Sequence, residues 1–112
     1  MINPQQGSIF LAQLDPIQGR EQGGFRPVLI LQNNRLNHIL NTFIVAPITT
    51  NLKFKGLFTT VFLEKHTGAL TKDSVALLYQ IRTLDKSRLK KFVGKITMEQ
   101  FAQIRQQMMF VF

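Results

Sequence analysis

Cysteine is absent from this chain of 112 residues, histidine occurs twice, and six acidic residues face fourteen lysines and arginines. Without thiols there is no disulfide, no thiolate zinc site and no cysteine nucleophile, a lack that fits either redox compartment. His38 and His66 alone leave little for a metal site. No uninterrupted apolar stretch approaches the roughly 20 residues of a membrane span. The opening "MINPQQGSIFLAQLDP" lacks basic residues ahead of its short apolar run, which argues against a secretory leader. A cytoplasmic protein without membrane contact is therefore expected, and neither a cofactor nor a metal is implied.

What is present is a core and a cationic surface. A hydrophobic content of 45% in 112 residues suits one domain spanning residues 1–112, burying roughly two-thirds of the surface its unfolded chain would expose. The formal net charge is +8, with five basic against two acidic residues up to Gly56 and nine against four after it. The basic character is global, and an anionic partner follows: nucleic acid first, an acidic protein segment second.

Short apolar segments separated by turn residues fill the first 95 positions: Ser8–Leu14, Pro27–Gln32, Phe43–Ile48, Thr59–Leu63, Ser74–Tyr79 and Phe92–Lys95. Their length and their Val, Ile, Phe and Thr content predict strands. Several, such as "IFLAQL" and "VLIL", are apolar on both alternating faces, which suits a closed barrel or a sheet covered by helices and a partner chain. Helical periodicity appears only at the C-terminal end, where Thr97 and Gln100 form a capping box ahead of Met98, Phe101, Ile104 and Met108. "TLDKSRL" reads as one helical turn capped by Asp85, and "NNRLNHIL" reads equally as a loop or a short helix. The fold class is mainly β with helices.

Candidate chemistry begins at "GREQGGFRPVLIL". Its glycines match neither a P-loop nor a dinucleotide fingerprint and read as a turn. Arg26, fixed immediately before Pro27 at the mouth of an apolar strand, either bridges two phosphate oxygens or pairs with Glu21. Thr49 and Thr50, ending "VAPITT", have hydroxyls that either donate to a phosphate or close a turn. In "NLKFKGLF", Phe54 between Lys53 and Lys55 combines a stacking face with cations, as single-stranded RNA binding uses, and fits a protein contact equally. Five basic residues from Arg82 to Lys91 stand against Asp85 alone; a solvated face, with Arg82 and Asp85 paired across a turn, is the plain explanation. Nothing brings His38 and His66 together as an acid–base pair.

Taken in order, "GSIFLAQLDP", "GREQGGFRPVLILQNN", "VAPITT", "DSVALLYQIRTLDKSRL" and "VGKI" resemble the MazF/PemK family of toxin endoribonucleases. The resemblance runs from Gly7 to Ile96. It implies a small SH3-like barrel with added helices, a homodimer, an acidic and partly disordered antitoxin, and sequence-preferring, metal-independent cleavage of single-stranded messenger RNA. By the MazF branch, Arg26 and Thr49 would stand at the cleaved phosphate, with Glu21, Gln80 and Arg82 shaping the site; Glu21, the nearest carboxylate by sequence, is the candidate base or else only orients Arg26. Arg20, Asn33, Thr50, Lys53, Phe54, Lys55, Gln80 and Arg82 make up the expected RNA-contacting set. The PemK-like acid and base positions are occupied here by Arg20, Leu77 and Tyr79, so a His and Asp mechanism does not carry over.

Two other functions suit the same resemblance or charge. A topoisomerase poison like the CcdB-like toxins would not need Arg26 and Thr49 together. A non-catalytic basic RNA-binding barrel would need only the net charge and Phe54.

Overall fold

The computed structural model describes residues 3–14 and 24–112. Among them run β1 (Ser8–Gln13), β2 (Phe25–Ile30), α1 (Asn34–Ile39), β3 (Thr42–Thr49), β4 (Thr60–Leu63), β5 (Ser74–Leu77), β6 (Arg82–Asp85), β7 (Leu89–Lys95) and α2 (Met98–Met108). Single 3-10 turns occupy Leu52–Phe54, Leu78–Gln80 and Lys86–Arg88. The described strand pairings are all antiparallel. Their order is β4-β5-β3-β2-β1-β7, with β6 also on β3.

The connection from β6 to β7 forces the sheet to curl. In a flat sheet these two strands, on β3 and on β1, would stand four strand spacings apart, about 19 Å. The chain from Asp85 to Leu89 spans at most about 14 Å. The edges must therefore approach each other, and the enclosed face carries one core, with Phe10, Val28, Val45 and Leu84. The opposite face of the same strands carries a second, in which Ile9, Leu29, Ala46 and Ile48 meet β4, β5 and the Phe101 and Ile104 side chains of α2. Strands β1, β2 and β3 are thus covered on both sides, which is why their apolar residues are consecutive instead of alternating.

The capping box forms as expected, with Gln100 N–H donating to Thr97 Oγ1 (3.0 Å) and Thr97 N–H to Gln100 Oε1 (2.8 Å). Phe101 and Ile104 are buried, and Met108 packs against the same core. Met98 departs from the expected stripe and is exposed, because the first helical residue projects beyond the core. The ambiguous "NNRLNHIL" is helix α1, begun by Asn33, whose Oδ1 accepts from Leu36 N–H (3.0 Å).

Other boundaries differ from the sequence reading. Thr83, Leu84 and Asp85, expected within one helical turn, instead form β6 together with Arg82; only Leu84 of this strand is buried, so its polar alternation reads as a loop. The turn capped by Asp85 follows it at Lys86–Arg88. Strand β7 begins at Leu89, three residues ahead of the expected start, because its exposed Lys90 and Lys91 mask the pattern. Among the described residues, no helix is long and apolar enough to cross a membrane.

Candidate functional site

The β2–β3 ladder pairs Leu29 with Ala46 and Val28 with Pro47, then stops. The reason lies in Pro27. Leu31 N–H donates to Ile44 O (2.9 Å), while Leu14 N–H donates to Gly24 O on the β1 side (2.7 Å). Backbone groups alternate in direction along an antiparallel strand, so the odd-numbered residues of β2 address β3. The next donor toward Ile48 would be residue 27, and proline has none. Beyond that point β2 stays on β1, with Arg26 opposite Ala12, and β3 passes to β5, with Thr49 opposite Val75.

Arg26 and Thr49 stand on the two sides of this fork. Continuing the register that pairs Val28 with Pro47 by two residues sets Arg26 across from Thr49. The same parity puts both on the face of Val28 and Val45, together with Arg82, which pairs with Val45 four residues back along β3. Pro47, the other strand proline, addresses the opposite edge, in the interval between β6 and β5. Gln80 closes the 3-10 turn in that interval and is half-buried, as is Arg82.

Thr49 is 5% exposed, whereas Arg26 is exposed. Asn51 N–H donates to Thr49 Oγ1 (3.2 Å), and Lys53 N–H donates to Asn51 Oδ1 (3.2 Å). The turn-closing reading of Thr49 is therefore realised. It leaves the phosphate reading intact, because a hydroxyl that accepts one bond still has its own proton to donate. A guanidinium and a hydroxyl on neighbouring strands suit an oxyanion such as a phosphate.

The remaining expected contacts divide. Thr50, Lys53 and Lys55 are exposed on the segment leaving Thr49. Phe54 is half-buried in its 3-10 turn, with the Lys53 ammonium 5.3 Å from its ring, so it is less open than its place between two lysines suggests. Asn33 lies past the opposite end of β2, on the order of 20 Å along the chain from Arg26, and its side-chain oxygen caps α1. Arg20 and Glu21 lie outside the described residues.

Asp85 does not look across a turn to Arg82. The two side chains lie three positions apart on one strand and so point to opposite faces. Hydrogen bonds from the Ser87 side chain and backbone N–H, helped by the charge of Arg88, hold the Asp85 carboxyl below its ordinary range. His38 belongs to α1 and His66 to the connection between β4 and β5. No group of three or more potential metal-ligating residues occurs among the described residues.

Sequence reading passed over two aromatic residues. Phe58 is 73% and Phe110 57% exposed, and their rings stack at 5.2 Å with 25° between planes. Phe58 lies four residues beyond Phe54 in the same segment. Nothing local in the sequence foretold a partner 52 positions away in the chain.

Residues 5–112 match the family described as PemK-like, MazF-like toxin of type II toxin-antitoxin system. Endoribonuclease MazF of Staphylococcus saprophyticus is 52% identical over 87 residues, which are 78% of this chain and 72% of that protein. The crystal structure of MazF from Deinococcus radiodurans superposes with a TM-score of 0.80 at 28% identity, covering 96% of this chain and 94% of that one. A MazE-MazF structure from the same organism gives a TM-score of 0.75 at 28% identity, with the same coverage of 96% and 94%. The antiparallel sheet with its C-terminal helix is the fold of these toxins.

Proposed function

The chain belongs to the PemK-like, MazF-like toxin family of type II toxin–antitoxin systems, and from that membership we propose that it is an endoribonuclease cutting single-stranded messenger RNA in the cytoplasm without a metal. The observation that carries this reading is the fork at Pro27, with the Arg26 guanidinium and the Thr49 hydroxyl on its two sides and Arg82 on the same face.

Metal-free cleavage uses the RNA's own 2′-hydroxyl. Its proton leaves to a base, the 2′-oxygen bonds to the adjacent phosphorus, and the bond to the 5′-oxygen breaks as that oxygen takes up a proton. The products are a 2′,3′-cyclic phosphate and a 5′-hydroxyl. Charge accumulates on the phosphorane oxygens, where a held guanidinium and a hydroxyl donor act most strongly. Arginine keeps its proton in proteins, so the base is a different group. We assign it to Glu21. The four described carboxylates sit on other elements, with Glu64 in the connection after β4, Asp73 accepting from Lys65 N–H (2.7 Å), Asp85 capping its turn and Glu99 in the first turn of α2.

The toxin acts as a homodimer and is neutralised by an acidic, partly disordered antitoxin that meets its basic surface. The MazE-MazF complex from Deinococcus radiodurans supports an antitoxin partner. An apolar face supports the dimer: Leu36, Ile39, Leu40 and Ile44 are exposed on α1 and its neighbourhood. Leu36 and Ile44 border a groove of about 330 Å³ reaching Ile81, Met108 and Phe112.

The test incubates the protein with single-stranded RNA in chelator, beside Arg26→Ala and beside the same RNA carrying a 2′-deoxy sugar at the cut site. Wild type should cut only the all-ribose RNA and Arg26→Ala should cut neither. No cleavage by wild type, or equal cleavage in all three reactions, overturns the reading. With Glu21→Gln, the rise of rate with pH should disappear; an unchanged profile removes Glu21 as the base.

A further inference from the structure

We propose that Phe62 is a positioning residue for RNA binding: its ring holds the Lys55 ammonium on the Thr49 face of the sheet, where that cation takes a phosphate one or two nucleotides from the cut. The inference rests on the ribonuclease reading above. The Lys55 ammonium stands 4.1 Å from the centroid of the Phe62 ring, inside the range of a cation–π contact.

Strand register places this pair beside the site. Val75 pairs with Thr49 on one side and with Phe62 on the other. Residues directly opposite in antiparallel strands share a face, so Thr49, Val75 and Phe62 form one row. Two strand spacings put Phe62 about 10 Å from Thr49. Ala76, next to Val75, belongs to the core on the opposite face, and Phe62 is half-buried while the other three residues of β4 are buried.

The segment that carries Lys55 lies on the same side as the row. Thr60 pairs with Leu77, two positions from Val75 and hence on that face. Its Oγ1 donates to Phe54 O (2.8 Å) and to Leu57 O (3.2 Å), and these bonds bracket Lys55. The cation therefore reaches Phe62 from the face that Thr49 occupies.

Charge selects the occupant. Residues 50–58 carry Lys53 and Lys55 and no carboxylate, and the Lys53 ammonium also lies beside a ring, 5.3 Å from that of Phe54. Lysine is a point charge on a flexible stem, and resting it on a ring removes part of the freedom it would lose on binding. A strand gripped at Arg26 and Thr49 has a phosphate at every nucleotide. A cation about 10 Å along the row meets one of the next.

The test measures Kd by fluorescence anisotropy with a labelled single-stranded RNA that carries a 2′-deoxy sugar at the mapped cut site and so stays intact with the native protein. Lys55→Ala should weaken binding about eightfold at 50 mM salt and about threefold at 200 mM, because one phosphate contact fewer lowers the salt slope by about 0.7. With a neutral methylphosphonate placed at each linkage in turn, a linkage one or two from the cut should erase the difference between wild type and Lys55→Ala. Phe62→Leu should weaken binding about two- to fivefold and add nothing in the Lys55→Ala background. Phe62→Tyr keeps the ring and should bind as wild type does.

Equal salt slopes in wild type and Lys55→Ala overturn the proposal, and so does a difference that no methylphosphonate erases. Unchanged RNA binding in Lys55→Ala with loss of an acidic peptide gives the cation to a protein partner instead. A Phe62→Leu loss of the same size with and without Lys55 makes the ring a packing residue only. If wild type binds RNA and cuts none, the ribonuclease reading fails, and the scan, run on an all-ribose strand, still decides whether Lys55 holds a phosphate. A protein that binds no RNA overturns both.

Discussion

Replacing Pro27 by alanine restores one backbone N–H at the point where the β2–β3 ladder stops. That N–H points at Ile48 O, by the alternation fixed at Leu31 and Ile44. One added backbone hydrogen bond contributes about 1 kcal/mol. Removing proline from a compatible position costs about 0.4–1 kcal/mol through the unfolded chain. The two nearly cancel, so Pro27→Ala should unfold within about 5 °C of wild type. Function should not be spared. A ladder extended to Ile48 draws the strands together between Arg26 and Thr49, and a displacement of about 1 Å in a positioned group costs on the order of a hundredfold in rate. The assay pairs thermal unfolding with cleavage of a fluorogenic single-stranded RNA, and amide exchange at residue 27 reports the new bond. Protection of that amide together with wild-type cleavage would refute the fork as the feature that sets the site.

Other outcomes follow from separate parts of the molecule. At Gly94 a Cβ would lie 2.7 Å from both Ala69 N and Gly68 Cα, all rigid backbone, so Gly94→Ala should cost about 2 kcal/mol and lower Tm by about 10 °C; an unchanged melting curve would show that the Gly68 turn moves freely. The Asp85 carboxyl is held low by the Ser87 hydrogen bonds and Arg88, so its stabilisation is present above the ordinary carboxylate pKa of about 3.9 and is lost as pH falls through the lower folded value. Asp85→Asn keeps an N-cap acceptor and should flatten this part of the acid-side fall in Tm; the same slope in both proteins would exclude Asp85 as its source. Ile39 is 74% exposed on the apolar face, so Ile39→Asp should convert a particle of twice 12.9 kDa into one of 12.9 kDa by sedimentation; a dimer that survives the change uses another surface.

Much of the fold was legible because burial on both faces leaves a direct trace in sequence. "IFLAQL" and "VLIL" are apolar at consecutive positions because β1 and β2 separate two cores, and the Thr97 and Gln100 spacing specified its cap without tertiary help. Residues 82–85 were not legible as a strand, since a four-residue element that buries one side chain, Leu84, has too few periods to be told from a loop. Phe58 was hidden for a different reason: its partner is Phe110, and sequence patterns carry no record of long-range stacking.

The two strand prolines hold the deeper connection between chain and site. Proline is poorly tolerated inside a sheet because it withholds a ladder donor, so "RPV" and "VAPIT" look at first like arguments against strands. Each withheld donor falls where the sheet changes partners. Pro27 addresses β3 at the fork beside Arg26, and Pro47 addresses the interval where β6 gives way to β5 on the far edge of β3. The residues least suited to a continuous sheet are thus the ones that let β3 serve two sets of neighbours. A strand shared in this way ends with Thr49 held by β5 while Arg26 remains held by β1. The arginine and the hydroxyl are thereby fixed from opposite directions, with a gap between them that no ladder bond closes. Such a gap can admit a phosphate without breaking any strand pairing. The fold can therefore present the proposed site already open, with its stability vested in the two cores on either side.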